Sequence, residues 1–139
     1  MRAVSFTFKK IKVEKTKDSF KDVKINSKIN LTGVEIIPSE ALQKKEGLLK
    51  VGFVYNIIYN PDIARIDFEG NVLLVTDKEK VKEIEGEWKN KKISEDLRIF
   101  LFNIILRKAN IKALELEEEM NLPLHIPLPI LKKQKKESS

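Results

Sequence analysis

His125 is the one histidine in the chain, and there is no cysteine. A transition-metal site built from imidazole and thiolate needs about three or four such ligands, so no metal centre of that kind is expected. The same absence removes thiolate nucleophiles, iron–sulfur clusters and disulfide scaffolds. His125 stands between Leu124 and Ile126 in a proline-rich stretch, where a packing or surface role is expected rather than that of a base. Paired carboxylates for acid–base work would have to come from Asp62, Asp67, Glu69 or the cluster Glu115, Glu117, Glu118 and Glu119. Strand alternation puts Asp67 and Glu69 on a polar face, and the acidic cluster reads as solvated surface. The five glycines, at 33, 47, 52, 70 and 86, are scattered and form neither a dinucleotide fingerprint nor a P-loop. No catalytic residue, metal or cofactor is expected. The chain reads as a binding protein, not an enzyme.

The aromatic residues carry the other candidate chemistry. Phe6, Phe8, Phe53, Tyr55, Tyr59 and Phe68 share the parity of the apolar positions on their strands, which suits a core. A platform for single-stranded nucleic acid would interleave exposed aromatics with Lys or Arg, whereas the lysines here fall on the opposite parity. Tyr55, Tyr59, Phe68 and Trp88, with Leu128 further on, are the set that would line an apolar groove for an extended peptide. Plain core is the competing reading for the same strand residues.

The elements that would position these residues follow from periodicity. Val4, Phe6 and Phe8 alternate, then Ile11 and Val13 take the opposite parity, so a bulge is expected near Lys9 and Lys10. Val23, Ile25, Ile29 and Leu31 form a half-buried antiparallel strand whose parity switches at Gly33, where a second bulge is expected. Leu49, Val51, Phe53, Tyr55, Ile57 and Tyr59 define a third strand. Asn60-Pro61-Asp62 is turn chemistry, and Ala64, Ile66, Phe68, Val72 and Leu74 return as the other arm of a hairpin. Thr76 with Glu79 has capping-box spacing and predicts a short helix through Val81, Ile84 and Trp88. Ser94, followed by Glu95 and Asp96, predicts the start of a long helix reaching about Leu116. The prolines at 123, 127 and 129 then predict an extended segment rather than helix or central strand. The fold class is α+β: a four-stranded antiparallel sheet, a short helix, a long C-terminal helix and an extended Pro-rich segment.

On the long helix Leu97, Ile99, Phe100, Leu101, Phe102, Ile104, Ile105 and Leu106 point in all directions. A surface helix in a monomer shows one apolar stripe, and one sheet covers one side. The remainder has to be covered by more of this chain, a second copy or a ligand protein, and self-association is the economical answer. Ile99, Phe100, Phe102, Ile105 and Leu106 are the expected oligomer interface.

Composition sets the outer limits. At 139 residues one domain is expected, and the longest apolar run falls far short of the ~20 residues of a membrane span. The first ten residues alternate rather than forming a secretory signal, so a cytoplasmic location without membrane insertion is expected. Lysine and glutamate abundance suits a thermophilic source. Of the net charge of +6, half sits in residues 132–139, four lysines against one glutamate, which reads as a disordered basic tail. The rest is nearly balanced, and a nucleic-acid partner is not favoured.

The order of elements, Ala64-Arg65-Ile66-Asp67-Phe68-Glu69-Gly70 in the fourth strand, and Met120-Asn121-Leu122-Pro123-Leu124 after the long helix resemble the SecB-type export chaperones over residues 4–131. Ser94-Glu95-Asp96-Leu97-Arg98 stands where that family has a proline-containing aromatic motif, and the acidity its bacterial members use for docking to the export ATPase is missing. The resemblance is to a distant, archaeal-type relative, and implies one SecB-like α+β domain over residues 1–131. It implies a homo-oligomer, specifically a tetramer, that holds unfolded or nascent polypeptides without ATP, in protein export. A nucleic-acid or ribosome-associated module using the basic tail is the alternative.

Overall fold

The computed structural model describes residues 1–42 and 44–133. Four long strands, β1 (Arg2–Lys15), β2 (Lys24–Ile37), β3 (Glu46–Asn60) and β4 (Ala64–Asp77), precede two helices, α1 (Lys78–Trp88) and α2 (Glu95–Glu119). The sheet is antiparallel throughout, in the order β1-β4-β3-β2. The α+β architecture is the expected one.

Pairing follows from alternation. β3 and β4 form the central hairpin, from Tyr59 opposite Ala64 to Glu46 opposite Asp77, and their inward residues are fully buried. β1 and β2 occupy opposite edges, so residues 16–23 cross one end of the sheet. There the backbone N–H groups of Thr16 and Lys17 donate to the carbonyl of Ile63, at 2.8 and 3.2 Å, tying the crossover to the β3–β4 turn. Both expected bulges are present, between Phe8 and Lys10 and between Leu31 and Gly33, and a third lies between Ala3 and Ser5. Each inserts one residue and returns the apolar side chains to the inner face. Gly70 has a specific cause: a Cβ there would lie 2.3 Å from the carbonyl oxygen of Thr7 and 2.8 Å from the Phe53 ring, so only glycine lets the ring cover the backbone. Around it Phe6 stacks on Phe53 at 5.2 Å and Phe8 packs on Phe68 at 5.3 Å.

α1 is held at the far end of the sheet by Val81 and Ile84. Asp77, not Thr76, occupies its N-cap, and no side chain makes the capping bond there. The helix starts at Lys78, so Thr76, paired opposite Gly47, lies one residue too early to cap it. α2 begins as expected, with Ser94 Oγ accepting from the N–H of Leu97 at 3.3 Å. It continues past Leu116, through the acidic residues, to Glu119. The stop is a Schellman motif: Asn121 takes the left-handed conformation at φ 53° and donates to Glu118, while Leu122 donates to the carbonyl of Glu117 at 2.8 Å and is itself buried. Pro123 follows, and the described residues from there to Lys133 have no regular structure. Of the basic tail, Lys132 and Lys133 are exposed, and 134–139 lie outside the described residues.

Candidate functional site

α2 lays Leu97, Leu101, Ile105, Ala109, Ala113 and Glu117 against the sheet, one residue in every four. An interval of four overshoots the 3.6-residue turn, so this contact line winds around the helix instead of holding to one side. Two consequences follow. Towards the N-terminal end large apolar side chains are left outside the line, with Ile99 51 % exposed and Phe100, Phe102, Ile104 and Leu106 half-buried. At the C-terminal end the line terminates on a carboxylate, Glu117, that is fully buried.

Glu117 is satisfied by groups from three parts of the chain. The Tyr59 hydroxyl, from β3, donates to Oε2. The backbone N–H of His125 donates to the same oxygen at 3.0 Å, and His125 Nδ1 lies 2.8 Å from Oε1. The other ring nitrogen, Nε2, lies 2.8 Å from Oδ1 of Asn110, which also accepts from the Tyr55 hydroxyl at 2.7 Å. Each ring nitrogen thus lies within hydrogen-bonding distance of an oxygen, Nδ1 of the carboxylate and Nε2 of the amide. Burial first, then the hydrogen bond to Glu117, pushes the Tyr59 phenol far above its ordinary range. Burial raises Tyr55 as well, against a smaller opposing effect of the Ser27 side chain. Both phenols therefore remain donors. Among the described residues no buried side-chain nitrogen or oxygen lacks a partner.

The expected site residues fall into separate places. Tyr55, Tyr59 and Phe68 are at most 2 % exposed beneath α2, so they are core and offer no open surface to a peptide. Trp88 ends α1, partly buried, with Lys91 Nζ 5.0 Å from its ring centre. Leu128 stands half-exposed in the Pro-rich segment. Of the expected interface residues, Ile105 is fully buried against the chain's own sheet, because it lies on the line of contact, and it is not available to a partner. Ile99, Phe100, Phe102 and Leu106 keep exposed surface. His125 is not a surface residue: its ring is 4 % exposed and hydrogen-bonded at both nitrogens. Glu117 likewise departs from the solvated acidic cluster. Its place was readable in the interval of four that runs from Leu97 through Ala113, which ends on Glu117.

Beyond the network the chain becomes an apolar arm. Leu122 is buried, Pro123, Leu124 and Ile126 are half-buried, and from Pro127 every described residue is exposed, with Ile130 at 73 % and Leu131 fully so. Among the described residues no group of three His, Asp or Glu residues is placed to hold a metal ion, and no helix there is long and apolar enough to cross a membrane.

This combination of a four-stranded antiparallel sheet in the order 1-4-3-2 with a long helix across it is a SecB-like fold. The structure is similar to that of the Mycobacterium tuberculosis SecB-like chaperone Rv1957, solved in complex with a ChAD peptide from the HigA1 antitoxin. The TM-score is 0.54 at 12 % sequence identity, over 96 % of this chain and 92 % of that one. No family model and no curated protein matches the chain by sequence.

Proposed function

We propose that this protein is a chaperone of the holdase type, which binds non-native polypeptides through apolar surface, without ATP and as a homo-oligomer. One observation carries the reading: the N-terminal half of α2 keeps apolar surface uncovered, with Ile99 51 % exposed and Phe100, Phe102 and Leu106 half-buried. Apolar surface left uncovered on a helix is where a partner can dock. Two copies meeting through α2 would bury part of it, and the remainder would shield apolar stretches of a client. The peptide bound by the mycobacterial chaperone of the same fold supports polypeptide as the class of partner. A tetramer, and service to protein export, are the finer forms of the proposal. The protein acts by binding, and no residue is assigned a catalytic role.

The test is light scattering of a chemically unfolded client diluted into buffer with and without the protein, together with the solution mass of the protein alone. Suppression of aggregation near one oligomer per client, by a species heavier than a monomer, is expected. Unaltered aggregation at a several-fold excess would overturn the proposal.

A further inference from the structure

The arm is bound to its own protein in the way an extended peptide is bound. Leu122 to Ile126 join no strand, and they are held by apolar burial, complete at Leu122 and partial at Pro123, Leu124 and Ile126; by the backbone N–H groups of Leu122 and His125, which reach the carbonyl and the carboxylate of Glu117; and by one side chain, the His125 ring, enclosed between Glu117 and Asn110. Grip ends abruptly at Pro127, from which every described residue is exposed. The polar part of the receiving surface comes from α2 and β3, the Glu117 carboxylate and Asn110 amide backed by the hydroxyls of Tyr59 and Tyr55.

We infer that this groove is a client site and that residues 122–126 are its resident occupant, displaced by clients of like chemistry; the inference rests on the polypeptide-holding reading. A buried carboxylate that accepts a backbone N–H makes the same bond to any residue other than proline, which allows many sequences to enter. The second carboxylate oxygen and Asn110 select a side chain that carries donors. The favoured client is therefore an extended apolar segment, tolerant of proline, with one His, Lys or Arg among its aliphatic residues. A client lacking that side chain would leave Glu117 buried with its Oε1 unpartnered, a penalty that gives the site its preference. The exposed stretch 127–131 gives displacement a place to begin.

The probe is a fluorescent synthetic peptide with the sequence of residues 120–131, titrated into the full-length chain and into His125→Ala. With the resident weakened, His125→Ala is expected to bind the peptide at least about tenfold more tightly than the native chain, since a competing intramolecular occupant reduces apparent affinity by the fraction of open sites. The same peptide with its histidine replaced by alanine is expected to bind His125→Ala at least about tenfold more weakly. Hydrogen exchange over 122–126 should lose protection in His125→Ala. Equal affinities for the two chains, or retained protection over 122–126, would overturn the inference. If circular dichroism shows His125→Ala unfolded, Leu124→Ser with Ile126→Ser is read in its place, because it loosens the segment and leaves the partners of Glu117 intact. Aggregation suppression without any peptide binding would sink the resident-occupant inference and leave the holdase reading standing. Peptide binding without suppression would do the reverse.

Discussion

The two ends of α2 belong to one uninterrupted helix and are finished in opposite ways. At the C-terminal end the chain completes its own packing: a Schellman turn reverses it, Leu122 fills the core, and His125 closes over Glu117 and Asn110. At the N-terminal end Ser94 caps the helix, but Ile99, Phe100, Phe102 and Leu106 keep apolar surface outside the line of contact with the sheet. The difference is one of chemistry as well as coverage. A buried carboxylate requires specific partners in specific places, and an apolar flank accepts anything that excludes water. The polar end is thereby suited to hold one extended segment in a definite register, and the apolar end to accommodate variable or symmetric partners.

Substitutions at the two ends should therefore differ sharply. Glu117→Ala, which leaves the His125 backbone N–H, its Nδ1 and the Tyr59 hydroxyl without their buried partner, should lower unfolding free energy by about 3 kcal/mol, since each buried polar group left unpaired costs about 1–3 kcal/mol. Urea denaturation measures it, and a loss below about 1 kcal/mol would mean that the network is not closed in solution. At the other end Ser94→Ala removes a single capping bond and should cost about 1 kcal/mol in the same experiment. An ion pair belonging to neither end provides a control. Asp67 accepts two hydrogen bonds from Arg65, at 2.7 and 2.8 Å, and these hold its carboxyl below the usual range. A lowered folded-state pKa contributes stability above the unfolded value of about 3.9 and loses it as pH falls through the folded value. Arg65 is 48 % exposed, so the gain is screened to within about 1 kcal/mol. The stability gap between the native chain and Asp67→Asn should be steady near neutral pH and close below about pH 4. Ile99→Glu, on the exposed flank, should leave the stability of the fold within about 0.5 kcal/mol. Its effect should appear in analytical ultracentrifugation, as a shift towards the monomer. An unchanged mass would remove Ile99 from the association face.

Much of this was legible in the residues. Strand parity gave all four strands, and the parity switches at Lys9 and Gly33 announced the bulges, because a period of two allows an inward face to continue past an odd shift only if a residue is bulged out. Ser94 is a local signal for the start of α2, since a cap depends on residues within one turn, whereas the end was expected at about Leu116 and falls at Glu119, because glutamates suit a helix C-terminus poorly and point to an earlier stop. The excess of apolar side chains on α2 was equally plain, as was the placing of Tyr55, Tyr59 and Phe68 on an inward face. What local pattern left open was their competition between core and groove, and helix coverage settles it as core.

The hydrogen-bonded network at the C-terminal end depended on the fold. His125 reaches Asn110 and Glu117 only because the Asn121 turn sends the chain back along α2, and Tyr55 and Tyr59 meet those residues only because α2 lies across β3. A glutamate in a run of glutamates looks solvated until the helix has a side facing the sheet. By itself the sequence determined the strands, the start of α2 and the surplus of apolar surface, all of which follow from neighbours a few residues apart. Tertiary structure alone decided which carboxylate would be buried and which segment would satisfy it, because burial depends on what arrives from elsewhere in the chain.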